Sequence, residues 1–138
     1  MSVEKDKKSA ERWLMQAEDD YETAVLLRKN GKFAQSCFFF QQSAEKAVKF
    51  IWYYNSEDPW GHGVSRLIEV FPIKEIRDKF LIELIEDAKE LDKLYIPTRY
   101  PNGLPEGLIP ATAYTEKNAR DAEAMAKRVI DRVKAIYF

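Results

Sequence analysis

The residues best suited to chemistry lie in one short stretch of the second half of the chain: Asp92, Tyr95, Arg99 and Tyr100. An arginine can clamp a phosphate with two parallel hydrogen bonds, and a neighbouring tyrosine ring can stack on a nucleobase. The same residues also allow a purely structural arrangement. In that arrangement Asp92 pairs with Arg99 as the chain folds back, and both tyrosines pack under the loop. The sequence leaves both interpretations open.

A second group of polar residues recurs at helical spacing: Gln42, Glu45, Lys46 and Lys49. Such a strip is typical of a solvated helix face, and Glu45 and Lys49 are placed for an ion pair between residues i and i+4. The alternative is a polar lining to a groove between helices or subunits. In that groove Lys49 would meet a phosphate.

Few residues are available for catalysis or for metal binding. His62 is the only histidine, and no partner for acid–base chemistry is placed beside it by the sequence. The single cysteine, Cys37, is predicted to be a small buried hydrophobic residue, and it excludes an intramolecular disulfide and a cysteine-rich zinc site. No glycine-rich phosphate loop is present. We therefore expect no metal, no cofactor and no catalytic residue set of a known kind.

The elements that position these residues are predicted to be helices. Apolar residues recur every three or four positions, and no strand-like alternation of useful length occurs. The fold class is therefore all-α, an antiparallel bundle of about four long helices and a short one. The second and the last helix are each predicted to bury one apolar stripe, which includes Cys37 and Phe38 in the second helix and Ala119, Ala122 and Ala126 in the last. The predicted helices run from Ser9 to the stop at Asn30-Gly31, from Lys32 to about Tyr54, from Val64 to Phe71, from Lys74 to Leu94, and from the N-cap Thr115 to about Ile136.

A long proline-rich loop, Leu91 to Pro110, precedes the last helix and holds four of the six prolines. An irregular segment of about twenty residues is unusual in a compact domain and is more often functional or disordered than incidental. Its many apolar side chains argue for order. Residues 1–8 are predicted to be a flexible N-terminus, and residues 9–138 a single domain.

Composition limits the classes of partner. The 138 residues carry a net charge of −1, which supplies no broad field for DNA or for an anionic membrane surface. No apolar run has the length of a membrane span, and residues 1–12 are charged rather than signal-like. We expect a cytoplasmic protein that binds neither membrane nor DNA.

Several motifs occur together in a recognisable order. They are FQQSAEKAVK from Phe40, GHGVSRL from Gly61, Leu91-Asp92, and YIPTRYP from Tyr95, and the early Asp20-Tyr21 and Asn30-Gly31 fit the same pattern. From about Ala10 onward the chain resembles the HEPN domain, named for its occurrence in higher eukaryotes and prokaryotes and for proposed nucleotide binding. The resemblance implies a small helical bundle, commonly a homodimer. It also implies a possible nucleotidyltransferase partner and a possible role in a toxin–antitoxin system.

Other members of that family are metal-independent ribonucleases, which share an arginine followed about four to six residues later by a histidine. This sequence departs from that pattern. The nearest arginine before His62 is Arg28, and no histidine follows Arg99. The ribonuclease role is therefore not carried over to this chain.

Together these features predict a non-catalytic or weakly catalytic HEPN-like module that dimerises and binds a nucleotide, RNA or a partner protein. The alternatives are a metal-independent endoribonuclease with a non-standard site, which would use His62, and a purely structural dimeric interaction subunit. The candidate ligand-binding residues are Arg99, Tyr95, Tyr100, Asp92, Lys49 and Glu45.

Overall fold

The computed structural model describes residues 3–61 and 63–138, and within those ranges the regular structure is helical, without a strand. The all-α prediction is confirmed. His62 lies outside the described residues, and so do the hypotheses that depend on it. The α-helices are α1 (Val3–Lys29), α2 (Phe33–Tyr54), α3 (Val64–Glu69), α4 (Lys74–Ile76), α5 (Ile85–Asp92), α6 (Pro110–Ala113) and α7 (Glu116–Tyr137).

The first two helices form a hairpin whose turn was predicted from Asn30-Gly31. Gly31 has a φ of +76°, the left-handed conformation that ends helices, and the N–H of Lys32 donates to the carbonyl of Leu27 (2.9 Å). The start of α1 differs from the prediction, because the helix begins at Val3 rather than Ser9. Its first turns are rich in Lys and Glu, which form helix well without an apolar stripe to reveal it.

The last helix packs against α2 and α1 and closes the bundle. Thr115 is its N-cap, as predicted: the Thr115 hydroxyl accepts from the N–H of Asn118 (3.2 Å), and the Asn118 amide oxygen accepts from the N–H of Thr115 (2.9 Å). This reciprocal pair satisfies two backbone donors that the helix itself leaves free.

The predicted continuous α-helix from Lys74 to Leu94 was wrong in detail. Between α4 and α5 the chain forms a π-helical turn (Arg77–Leu81) and then a 3-10 turn (Ile82–Leu84), and α5 ends at Asp92. The guanidinium of Arg132 on α7 donates to the carbonyl of Phe80 (3.2 Å) inside this irregular stretch. Hydrophobic spacing does not distinguish a π turn from an α turn, so the sequence could not reveal it.

The core is contiguous and draws on every long helix. Its fully buried members include Ala10, Ala17 and Ala24 of α1, Phe40, Phe50 and Ile51 of α2, Leu67 and Ile68 of α3, Leu91 of α5, and Ala122, Ala126 and Val129 of α7. The buried positions of α1 and α7 include several small alanines, whereas those of α2 include the aromatic Phe40 and Phe50. Within 3–61 and 63–138, none of the helices combines the length and the apolarity that a membrane-spanning helix requires.

The proline-rich stretch between α5 and α6 is irregular, as predicted, apart from one 3-10 turn (Pro101–Gly103). Gly103 lies so close to Pro97 that an added Cβ would stand 3.3 Å from its Cα. The segment therefore folds back on itself in a compact way. It carries Arg99 to the surface of α2.

Candidate functional site

Arg99 lies inside a set of aromatic rings that we call the Arg99 cluster: Arg99, Phe38, Tyr95 and Tyr100. The guanidinium carbon is 4.4 Å from the ring centre of Phe38, 4.5 Å from that of Tyr95 and 5.1 Å from that of Tyr100. A guanidinium over the face of an aromatic ring is attracted by the ring's negative π face. Three rings of one cluster therefore hold a single cation.

Local hydrogen bonds fix Arg99 in this position. Its Nε donates to the carbonyl of Tyr95 (2.9 Å), and its backbone N–H donates to the carbonyl of Ile96 (3.0 Å). The Thr98 hydroxyl, which is buried, donates to the carbonyl of Leu94 (2.5 Å). The turn is thus set by its own backbone, and the guanidinium edge remains at the surface, since Arg99 is an exposed residue and Tyr100 is 49% exposed.

No carboxylate oxygen of the described chain lies within ion-pairing distance of Arg99. The structural alternative, in which Asp92 pairs with Arg99 and both tyrosines are packed under the loop, is therefore wrong. Asp92 is used elsewhere. Among the described residues, the positive charge of Arg99 is offset by aromatic rings and not by an acid.

Asp92 caps the short helix α3 from a distance of 28 residues along the chain. Its carboxylate accepts from the N–H of Val64 (2.7 Å), the N–H of Ser65 (3.0 Å) and the hydroxyl of Ser65 (2.7 Å). Gly63, at the N-cap position, has no side chain that could do this. Gly63 also has a φ of +91°, and an added Cβ would stand 3.0 Å from Asp92 Oδ2, so the position requires glycine.

Glu45 of α2 also binds the backbone just before α3. Its Oε1 accepts from the N–H of Gly63 (3.2 Å), and its Oε2 lies 3.3 Å from the ammonium of Lys49. We call this group of five residues the Gly63 anchor: Glu45, Gly63, Val64, Ser65 and Asp92. The ion pair with Lys49 was predicted, but the placement of Glu45 on a solvated face was wrong, because Glu45 is only 7% exposed.

Lys49 contacts both the Gly63 anchor, through Glu45, and an aromatic ring of α1. Its ammonium lies 5.8 Å from the ring centre of Trp13, and Trp13 stacks on Tyr53 with centroids 5.0 Å apart. Lys46, the other basic residue of the predicted strip, forms an ion pair with the buried Asp20. Both lysines of the strip therefore have acidic partners, unlike Arg99.

The predicted site residues thus fall into two places. Arg99, Tyr95 and Tyr100 come together, whereas Asp92 and Glu45 belong to the Gly63 anchor and Lys49 borders it. Phe38 and Lys49 are eleven residues apart on α2, which corresponds to roughly 16 Å along the helix axis. A single small ligand does not reach both.

Sequence reasoning missed one member of the Arg99 cluster. Phe38 was assigned to the buried stripe of α2, but it is only partly buried and forms one wall of the cluster. The signal available was the run Phe38-Phe39-Phe40, because three consecutive rings cannot all face one core from a single helix. Phe40 is the fully buried one of the three.

Two further kinds of chemistry were considered at the sequence level, a reactive cysteine and a metal site. Cys37 is fully buried, as predicted, and desolvation by burial raises the pKa of its thiol to about 12. A thiol in that state is a poor nucleophile at neutral pH. Over the residues that the structure describes, no three His, Cys, Asp or Glu side chains are grouped closely enough to hold a metal ion.

Comparison with known proteins gives a consistent result. A Methanocaldococcus jannaschii protein named "Putative toxin MJ1304" is 29% identical over 132 residues, covering 92% of this chain and 87% of the relative. The crystal structure of TT1696 from Thermus thermophilus superposes with a TM-score of 0.84 at 35% identity, covering 91% of this chain and 96% of that one. ST0689, described as an archaeal HEPN homologue, gives a TM-score of 0.74 at 35% identity over 92% and 96% of the two chains. The HEPN domain family model matches residues 10–136, and the chain belongs to that family.

Proposed function

We propose that this HEPN protein is a binding module whose Arg99 cluster takes a phosphate-bearing ligand, either a nucleotide or the phosphate of an RNA strand. The observation that carries the proposal is the state of Arg99. Its guanidinium is fixed by three rings and a backbone carbonyl, and within the described chain it has no acidic partner.

The chemistry of the cluster fits that ligand class. The aromatic rings occupy the faces of the guanidinium, while Nε is used by the carbonyl of Tyr95. The two terminal nitrogens then remain to donate to two oxygens of one phosphate. Because the side chain is already held in place, binding costs little further loss of rotamer freedom.

Tyr100 supports the nucleotide part of the proposal. Tyr100 is 49% exposed and one side of its ring contacts Arg99, so the residue offers accessible surface for stacking. Stacking of a base on an aromatic ring is tolerant of sequence, since every base has a π face. The ligand would therefore be read by phosphate and ring geometry rather than by base identity.

Calorimetric titration with ATP and with a short single-stranded RNA tests the proposal. Arg99→Ala should weaken binding roughly ten- to a hundredfold, because a charge-assisted contact is lost. Arg99→Lys should recover only part of the affinity, since an ammonium lacks the fork. Arg120→Ala is the matched control, because Arg120 is an exposed arginine that pairs with Glu116 (2.8 Å) on α7.

Two results would overturn the proposal: no heat of binding by the unmutated protein with either ligand, or unchanged affinity in Arg99→Ala. Electrophoresis of the RNA after titration separates binding from cleavage, and we expect it to stay intact. Cleavage that disappears in His62→Ala would instead establish the ribonuclease alternative.

A second candidate function is that of one subunit in a toxin–antitoxin pair or beside a nucleotidyltransferase, where a partner protein covers the proline-rich segment. Two observations favour it: the name of the Methanocaldococcus relative, and the exposed apolar residues of that segment, Ile96 (45%) and Ile109 (50%). Co-expression with the product of a neighbouring gene tests it. Ile96→Asp should abolish co-purification, whereas Ile82→Asp, at an equally exposed position in the 3-10 turn, should not.

A further inference from the structure

A second guanidinium lies over an aromatic ring where the loop before α3 meets that helix. The guanidinium carbon of Arg66 on α3 is 5.4 Å from the ring centre of Trp60 in the loop. Trp60 is 59% exposed, and Arg66 is an exposed residue as well. We call these two residues the Trp60 pair. Like the Arg99 cluster, the pair combines a planar cation with a ring that is accessible to a ligand.

The backbone of the loop positions the side chain of Arg66. Gly61 has a φ of +94°, and an added Cβ there would stand 3.3 Å from Cγ of Arg66. The backbone at Gly61 therefore lies directly against the aliphatic part of Arg66. Any other residue at this position would be strained by its φ and would crowd that side chain. The place of the guanidinium beside Trp60 is thus defined by the fold of the loop.

Most other arginines of the described chain use their charge within the fold. Those that pair with a carboxylate are Arg28, Arg77, Arg120, Arg128 and Arg132. Arg12 donates to the carbonyl and the hydroxyl of Ser9. Among the described residues, Arg66 and Arg99 are the two arginines that lie over rings with no carboxylate within ion-pairing distance. The positive charge at both places is therefore available to an anionic ligand.

Both places are attached to the same side of α2. Phe38 forms one wall of the Arg99 cluster, and Glu45 accepts from the N–H of Gly63 in the loop that carries Trp60. Phe38 and Glu45 are seven residues apart on α2, which is close to two full helical turns. Their side chains therefore leave the helix on one side, roughly 10 Å apart along its axis. The two places are held at a fixed distance from each other by one rigid helix.

We propose that the Trp60 pair is a second subsite for the ligand of the Arg99 cluster, and that this ligand is a single strand of RNA rather than a free nucleotide. The inference rests on the proposed function of the Arg99 cluster. One nucleotide of the strand places its phosphate on Arg99, and another stacks its base on Trp60 with a phosphate on Arg66. Proteins that bind single strands combine basic side chains with stacking rings over about four nucleotides or more.

The chemistry of the two places favours a flexible strand over other anionic partners. Each place offers a ring and a guanidinium, which match the base and the phosphate of one nucleotide. A duplex keeps its bases paired inside and does not present them to Trp60 or Tyr100. An acidic protein surface would use the two positive charges but leave both rings without a stacked base.

Fluorescence anisotropy with a labelled oligouridine of about twelve nucleotides, within the usual site size of such proteins, tests the proposal. The unmutated protein should bind this RNA on the order of tenfold more tightly than a dinucleotide, because only the longer strand reaches both places. Trp60→Ala should weaken the binding of the longer RNA about tenfold, through loss of one stacked base, and leave the affinities for the dinucleotide and for ATP unchanged. Phe138→Ala is the matched control, since Phe138 is a ring that is 71% exposed elsewhere on the surface.

The salt dependence of binding tests Arg66 separately. Each phosphate contact on a single strand contributes about 0.7 to the slope of the logarithm of the association constant against the logarithm of the salt concentration. Arg66→Ala should reduce the magnitude of this slope for the longer RNA by about that amount, whereas Trp60→Ala should lower the affinity without changing the slope. Arg120→Ala, whose guanidinium is paired with Glu116, should change neither. Thermal unfolding of each variant confirms that it folds.

The outcomes separate this inference from the proposed function. If Arg99→Ala weakens the binding of ATP while Trp60→Ala and Arg66→Ala leave the longer RNA unaffected, the second subsite is wrong and the Arg99 site stands. If neither ATP nor RNA binds to the unmutated protein, both are wrong. Variants at Trp60 and Arg66 that lose a co-purifying protein but bind the RNA normally would contradict the RNA subsite and identify an acidic protein as its occupant.

Discussion

The Gly63 anchor and the Arg99 cluster lie beside the same helix, α2, and use charge in opposite ways. In the anchor, Glu45 and Asp92 accept hydrogen bonds from three backbone N–H groups and one hydroxyl. In the cluster, one guanidinium is held by rings and has no acidic partner within the described residues. A charge whose hydrogen bonds are satisfied within the fold contributes to stability, and a positioned charge without a counter-charge is available to a ligand.

Among these residues, removing the carboxylate of Asp92 should lower the free energy of unfolding most. Asp92→Ala leaves two N–H groups at the start of α3 without acceptors, and charge-assisted bonds of this kind are worth about 2–3 kcal/mol. The free energy of unfolding, measured in urea, should fall by about that amount. Asp92→Asn keeps an acceptor and should lose less, and an equal loss in both variants would contradict the capping role.

Substitution of Glu45 should lower the free energy of unfolding by a smaller amount. Glu45→Gln retains an oxygen for the N–H of Gly63 but removes the charge that pairs with Lys49, so the loss should be about 1 kcal/mol. Lys49→Gln removes the same pair from the other side. If the two single losses and the loss in the double variant are additive, the ion pair contributes nothing to stability.

Arg99→Ala should change stability still less, by under about 1 kcal/mol, because cation–π contacts at exposed sites are weak. Its effect should appear in ligand affinity instead. Comparing the loss of stability with the loss of ligand affinity in Arg99→Ala therefore distinguishes a binding residue from a structural one. A large fall in the urea midpoint of Arg99→Ala would place Arg99 with the anchor residues as a structural group.

The last prediction concerns the pH dependence of stability and Cys37, a buried residue of α2 next to Phe38. At neutral pH its titration should have no effect on the free energy of unfolding. Burial raises the pKa of its thiol to about 12 from an ordinary value of 9.0, so the folded state favours the protonated form. The resulting stability is fully present below pH 9 and is lost as the pH rises from 9 towards 12, at up to about 1.4 kcal/mol per pH unit.

Urea midpoints at pH 7, 9 and 10 measure this loss. The decline above pH 9 should be shallower in Cys37→Ala than in the unmutated chain. Tyr114 adds to the alkaline loss in both proteins, since desolvation also raises its pKa. A decline of equal slope in the two proteins would show that Cys37 is accessible to water.

The sequence was a good guide to the features that depend on local chemistry. The Asn30-Gly31 turn and the Thr115 cap each arise from residues within one turn of one another, and the alanine stripe of α7 arises from residues spaced one turn apart. The Arg99 cluster was found in part for the same reason, because Tyr95, Arg99 and Tyr100 lie on one short turn. Phe38 comes from a different helix and was assigned to the core.

The Gly63 anchor could not be predicted, because its bonds join residues far apart in sequence. Asp92 and Val64 are 28 residues apart, and Glu45 and Gly63 are 18 apart. Their proximity depends on how α3 packs against α5 and α2. A carboxylate at the end of one helix gives no local sign that it will cap another.

The π turn at Arg77–Leu81 has a consequence for insertions and deletions. A π turn holds more residues than an α turn, and the carbonyl of Phe80 within it already accepts a hydrogen bond from Arg132. Loss of a single exposed residue such as Lys79 can be absorbed by converting that turn to α-helix. The same deletion within α2 would rotate every later core side chain by about 100°. We therefore expect length variation to be tolerated better at the π turn than in α2, which carries one wall of the Arg99 cluster.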